Sequence, residues 1–104
     1  MVLTFDYWAG RHPADPARGE PFIMVDSRNN DDRRGYVSSI DGKIETWTHA
    51  VVRLEELARQ GTEGGAAPVR MADGAAMRSL GISAGWTDGT YSSFFVDNVV
   101  LKHD

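Results

Sequence analysis

Apolar and polar positions alternate with a period of two along most of the chain. In "VLTFDYW", Leu3, Phe5 and Tyr7 alternate with Thr4, Asp6 and Trp8, which predicts a strand with aromatic residues on both faces. "FIMVDSR" and "YVSSI" read as two further strands, and "MRSLGISAGW" places Leu80, Ile82, Ala84 and Trp86 on one face of another. The last run, "SSFFVDNVVLKHD", is apolar on both faces and is split by Asp97 and Asn98. A run of that kind predicts an interior strand paired on both sides. Asp97 should then sit near a sheet end or loop, held by N–H or hydroxyl donors or partly exposed, or else bound to an ion.

Proline, glycine and polar clusters separate these runs. "GRHPADPARGEP" must be a loop, and "NNDDRRG", "TEGGAAP" and "TDGTYSS" break the chain again. Asp41–Gly42 is a dipeptide favoured in two-residue hairpins. It predicts that Ile40 faces Lys43, Ser38 faces Glu45 and Tyr36 faces Trp47. An aromatic pair across strands contributes a few tenths to ~1 kcal/mol. "RLEELARQG" carries the one clear helical turn, with Leu54, Leu57 and Ala58 on one face and Gly61 as its stop. Five or six short strands with turns between them indicate an all-β, antiparallel sandwich or barrel. No βαβ alternation is present, which argues against a doubly wound fold.

The chain of 104 residues is expected to form a single domain over 1–104. Its 41% hydrophobic and 25% charged residues are ordinary for a globular protein with its own core. The net charge of −4 argues against nucleic acid, and Asp31–Asp32 offsets the adjacent Arg33–Arg34. Neither a run of ~18 apolar residues nor a basic segment followed by an apolar one appears, so no membrane span or signal peptide is expected. With no cysteine, disulfides, thiolate metal sites and thiol catalysis are excluded.

Catalytic patterns are sparse. His12, His49 and His103 lie far apart, and no HExxH, GxSxG or phosphate-loop pattern occurs. His49 alternates with Trp47 and Val51 and reads as a partly buried strand residue. The aromatic residues say more. Sugar rings present faces of C–H bonds that stack on aromatic rings, while polar neighbours bond the hydroxyls. Trp8 shares its face with Thr4 and Asp6, and Trp86 borders a glycine-containing loop. Trp8, Trp86 and Tyr91 are therefore the candidate stacking residues, with Asp6, Arg28 and Asn30 reaching hydroxyls. Trp47, opposite Tyr36, is the expected core residue. Asp97, Asn98, Asp6, Asp26 and Asp104 are oxygen donors that could converge on calcium, although no EF-hand spacing is present.

"GTYSSFFVDNVVLK" resembles the closing strand of jelly-roll carbohydrate-binding modules and related galactose-binding-like domains. "ETWTHAVVRLEEL" is similar to their recurrent Trp-Thr strand with its short helical turn, "SLGISAGW" to the penultimate strand and "LTFDYW" to an early one. The likeness runs in order from Leu3 to Lys102. It implies an antiparallel jelly-roll-type β-sandwich that binds poly- or oligosaccharide without catalysis, in an extracellular or periplasmic setting. It also implies a structural calcium ion with Asp97 as a ligand. Members of that family usually carry one or two strands before the "TFDYW" position. Their absence would leave a sheet edge or face uncovered, which a symmetric homodimer would hide. The alternatives are a structural or protein-interaction sandwich that does not bind sugar, and a small glycan-acting enzyme using two acids, or an acid with His49, in one pocket. Burial of both Trp8 and Trp86 would weaken the sugar reading.

Overall fold

A computed structural model describes residues 1–29, 35–59, 70–71 and 77–103. The strands among them are β1 (Val2–Ala9), β2 (Phe22–Asn29), β3 (Tyr36–Asp41), β4 (Thr48–Arg53), β5 (Ala58–Arg59), β6 (Met77–Gly85) and β7 (Phe94–Lys102). They form a three-stranded sheet in the order β4-β1-β7 and a four-stranded sheet in the order β5-β3-β2-β6. Every pairing is antiparallel. The protein is an all-β sandwich of two packed sheets, as the alternation predicts.

The period of two explains the core. Leu3, Phe5, Tyr7 and Ala9 of β1 are buried beside Ala50 and Val52 of β4. They meet Ile23 and Val25 of β2, Tyr36 of β3 and Ala84 of β6 from the opposite sheet. The expected helical turn is a 3-10 turn of three residues, Leu54–Glu56. Leu54 and Leu57 are buried there and, with Met71, join the same core. Fully burying one such side chain contributes ~1.5–3 kcal/mol, so this cluster is the main source of stability.

The hairpin at Asp41–Gly42 does not form. After β3 the chain leaves the four-stranded sheet and crosses to β4 in the other sheet. Gly42 N–H donates to the Pro21 carbonyl at 2.8 Å. A Cβ on Gly42 would stand 2.6 Å from that same oxygen and 3.0 Å from Ile23 Cδ1. The glycine is needed for a close approach, not for a left-handed turn. The crossover is fixed further by Lys43 N–H to the buried Tyr7 hydroxyl at 3.0 Å and Glu45 N–H to the Ala9 carbonyl at 2.7 Å. Tyr36 accordingly pairs with Ser27 and Arg59, and Trp47 is 58% exposed instead of lying in the core.

The second departure is β7, which pairs with β1 alone and forms an edge of the three-stranded sheet. Phe95, Val96, Val99, Val100 and Leu101 are all exposed. Asp97 is therefore not a buried charge at a sheet end. It lies exposed in mid-strand, where its Oδ1 accepts the Asn98 N–H at 2.8 Å. Between Thr4, opposite Val100, and Asp6, opposite Asp97, the register shifts. Two residues of β7 occupy the space opposite Phe5, and Asn98 takes a left-handed φ of 53°. This β-bulge reverses the in-out alternation halfway along β7.

Candidate functional site

The outer face of the three-stranded sheet carries the candidate site. Because Leu3, Phe5 and Tyr7 point into the core, Thr4, Asp6 and Trp8 point out. Register then sets their neighbours. Asp6 lies opposite His49 on β4 and Asp97 on β7, so one row across the sheet reads His49, Asp6, Asp97. The row on one side reads Val51, Thr4, Val100. On the other side Trp8 pairs with Phe95, their rings 5.8 Å apart and inclined at 58°. Trp47 precedes β4 on that side. A polar row is thus flanked by an aliphatic row and an aromatic one.

The polar row is tied together by hydrogen bonds. His49 Nδ1 lies 2.7 Å from Asp6 Oδ1, and Asn98 Nδ2 donates to Asp6 Oδ2 at 2.8 Å. The bulge is what aims Asn98 at Asp6, since regular alternation would send residues 97 and 98 to opposite faces. The Asn98 amide, and then the His49 imidazole, hold the Asp6 carboxyl below its ordinary range. A carboxylate only accepts, so the facing His49 Nδ1 carries the proton, and in the neutral imidazole Nε2 is an acceptor. Asp6, Trp47, Thr48, His49, Asp97 and Asn98 line a cleft of about 370 Å³. It combines an exposed indole with carboxylate, amide, imidazole and hydroxyl groups.

Of the residues expected from sequence to bind ligand, Asp6 lines this cleft and Trp8 lies in the adjoining aromatic row. Trp86 does not join them. It is 9% exposed, its Nε1 donates to the Gly19 carbonyl at 2.9 Å, and its ring meets His12 edge-on at 4.8 Å. The loop after β1, which supplies both His12 and Gly19, folds over it, so it has no open face for stacking. Tyr91 is exposed on the turn before β7, where it bridges to Gly85. Arg28 is exposed on β2, in the other sheet. Asn30 lies outside the described residues, as does Asp104.

Asp97, expected as a calcium ligand, lines the cleft. Asp26 is on the other sheet, and both oxygens of Asp6 are already engaged by His49 and Asn98. Among the described residues, no group of three or more His, Asp or Glu side chains is placed to hold a metal ion.

Thr48 was not singled out from sequence, Trp47 was assigned to the core, and His49 and Asn98 were named only as a possible partner of a catalytic acid and as a calcium donor. The alternation of Trp47, His49 and Val51 was legible, but its direction was misjudged. The signal was the other set, Ala50, Val52 and Leu54, which is uniformly apolar and takes the buried side. Comparison with known proteins returned no matching family model, no matching curated protein and no matching solved structure.

Proposed function

We propose that the protein is a non-catalytic carbohydrate-binding sandwich whose site is the cleft on the outer face of the three-stranded sheet. The observation that carries this reading is Trp47, an exposed indole beside a carboxylate locked by His49 and Asn98. The indole offers a flat apolar face to a sugar ring, and the fixed polar groups bond its hydroxyls. Trp8 and Phe95 extend the aromatic surface for a chain of several sugar units. The jelly-roll carbohydrate-binding resemblance points the same way.

The chemistry of the cleft favours binding over hydrolysis. A general acid needs a raised pKa, whereas that of Asp6 is lowered. The Thr48 hydroxyl beside the Asp6–His49 pair is engaged, donating to the Thr46 carbonyl at 3.3 Å. Affinity electrophoresis on a panel of polysaccharides tests the reading. Retardation with a change in tryptophan fluorescence is expected, and Trp47→Ala should weaken binding by about tenfold, ~1.4 kcal/mol. No retardation on any polysaccharide, with unchanged fluorescence, would sink it.

The edge strand supports a second reading, a protein-interaction sandwich. Val96, Val99, Val100 and Leu101 on β7 are exposed, and an apolar edge of this length is a pairing surface. The occupant in this reading is a second copy of the chain, forming a homodimer. Sedimentation giving a clean monomer at micromolar concentration would remove it.

A further inference from the structure

The groups left free in the cleft are mostly hydrogen-bond acceptors. His49 Nδ1–H and one amide N–H of Asn98 are engaged by Asp6. The Thr48 hydroxyl proton is directed at the Thr46 carbonyl. The lining residues offer His49 Nε2, Asn98 Oδ1, the Thr48 hydroxyl oxygen and the Asp97 carboxylate as acceptors, against the second Asn98 N–H and the Trp47 indole N–H as donors. Among the described residues, no Lys or Arg lines it. A ligand rich in acceptors would find little to bond.

An independent observation concerns charge. Asp6 and Asp97 are direct partners across β1 and β7, on the same face. Like charges directly opposite destabilise a sheet. Hydrogen bonds from Asn98 and His49 keep Asp6 ionised and so maintain the repulsion. A cation held by Asp97 would offset that repulsion. Trp47, on the rim of the same cleft, adds an aromatic face that also attracts cations.

We propose that the cleft selects glycans bearing free amino groups, the glucosamine type, over neutral and uronic ones. The ammonium supplies three donors to Asp97, Asn98 Oδ1 and His49 Nε2, while the sugar ring lies on Trp47. A uronate carboxylate is repelled by the same wall, and N-acetylation removes the charge that the wall attracts. This inference rests on the carbohydrate-binding reading above.

Titration calorimetry on the full chain tests it with four tetrasaccharides: fully deacetylated glucosamine, N-acetylglucosamine, cellotetraose and oligogalacturonate. Buffer near pH 7 keeps the carboxylates ionised and leaves an imidazole nitrogen as an acceptor while a fraction of the amine stays protonated. The glucosamine tetramer should bind about tenfold tighter than cellotetraose, with no detectable binding of the galacturonate, and added salt should reduce the difference. Asp97→Asn retains an oxygen for the Asn98 N–H and should bring the glucosamine and cellotetraose affinities within about twofold. Cellotetraose binding that is lost in Trp47→Ala, with no preference for the amine, would overturn this inference and leave the sugar reading standing. Absence of binding by all four, with no retardation on polysaccharides, would overturn both.

Discussion

Replacing Gly42 by alanine tests the crossover that separates this fold from a hairpin. The added Cβ would lie 2.6 Å from the Pro21 carbonyl oxygen and 3.0 Å from Ile23 Cδ1. The first of these is backbone, and the same oxygen accepts the Gly42 N–H at 2.8 Å. Moving it aside weakens that hydrogen bond, which contributes ~0.5–1.5 kcal/mol. Shifting the buried Ile23 adds an overpacking cost of ~1–3 kcal/mol. Gly42→Ala should therefore destabilise by about 2–4 kcal/mol, lowering Tm by about 10–25 °C for a domain of this size. Urea unfolding followed by tryptophan fluorescence would show a lower midpoint at unchanged slope. Gly19→Ala is the control, because nothing lies within 4 Å of its added Cβ. Gly42→Asn discriminates the two geometries. Asparagine is tolerated at a left-handed turn position but not at a close contact. If Gly42→Ala were as stable as Gly19→Ala, or if Asn were accepted where Ala is not, the crossover geometry would be wrong.

His12 fastens the loop after β1 to the turn after β6. Its Nδ1 accepts the Ala14 and Asp15 N–H groups at 3.2 and 3.0 Å, its Nε2 lies 3.0 Å from Asp88 Oδ2, and its ring packs on Trp86. His12→Ala should cost about 2–3 kcal/mol in urea unfolding and expose Trp86 to acrylamide quenching, and Asn at the same position should recover part of that loss. Asp88 predicts the acid limb of stability. The Thr90 N–H, and then His12, lower its pKa to about 2 from an ordinary 3.8. A depressed carboxyl stabilises the fold above its unfolded pKa and loses that contribution as pH falls through its folded value. The stability gap between wild type and Asp88→Asn should therefore be full above about pH 4 and shrink towards pH 2. A gap independent of pH over that range would show that Asp88 does not act through its charge.

The strands were legible where one face is uniformly apolar. β1 reads correctly because Leu3, Phe5 and Tyr7 alone can form a core face, and that assignment turns Asp6 and Trp8 outward. Asp41–Gly42 misled because a dipeptide records that a glycine is needed, not whether conformation or contact requires it. β7 misled for a related reason. Apolar residues on both faces describe an interior strand and an exposed edge equally well, and only the strand order separates them. The cleft was legible one residue at a time. Asp6 was found, but its partners His49 and Asn98 lie 43 and 92 positions away, and they meet it through register and a bulge. Trp86 was misplaced by another long-range contact, since the Gly19 carbonyl that holds its indole is 67 positions distant.

The bulge at Asn98 links the edge of the sheet to the site. An exposed apolar strand of nine residues is a template for unwanted pairing, and an interruption near its middle makes it a poorer one. The interruption requires a residue that accepts positive φ, which for non-glycine residues favours Asn. The same residue must send an amide to Asp6 across the strand. Glycine would keep the bulge and lose the hydrogen bond that fixes Asp6. A β-branched residue would meet neither requirement. Asn98 therefore joins two functions at one position: it blunts the edge of β7 and completes the polar row of the cleft. The "DN" that interrupts the apolar run is thus where edge protection and the polar row of the cleft coincide, and not a charge buried inside a strand.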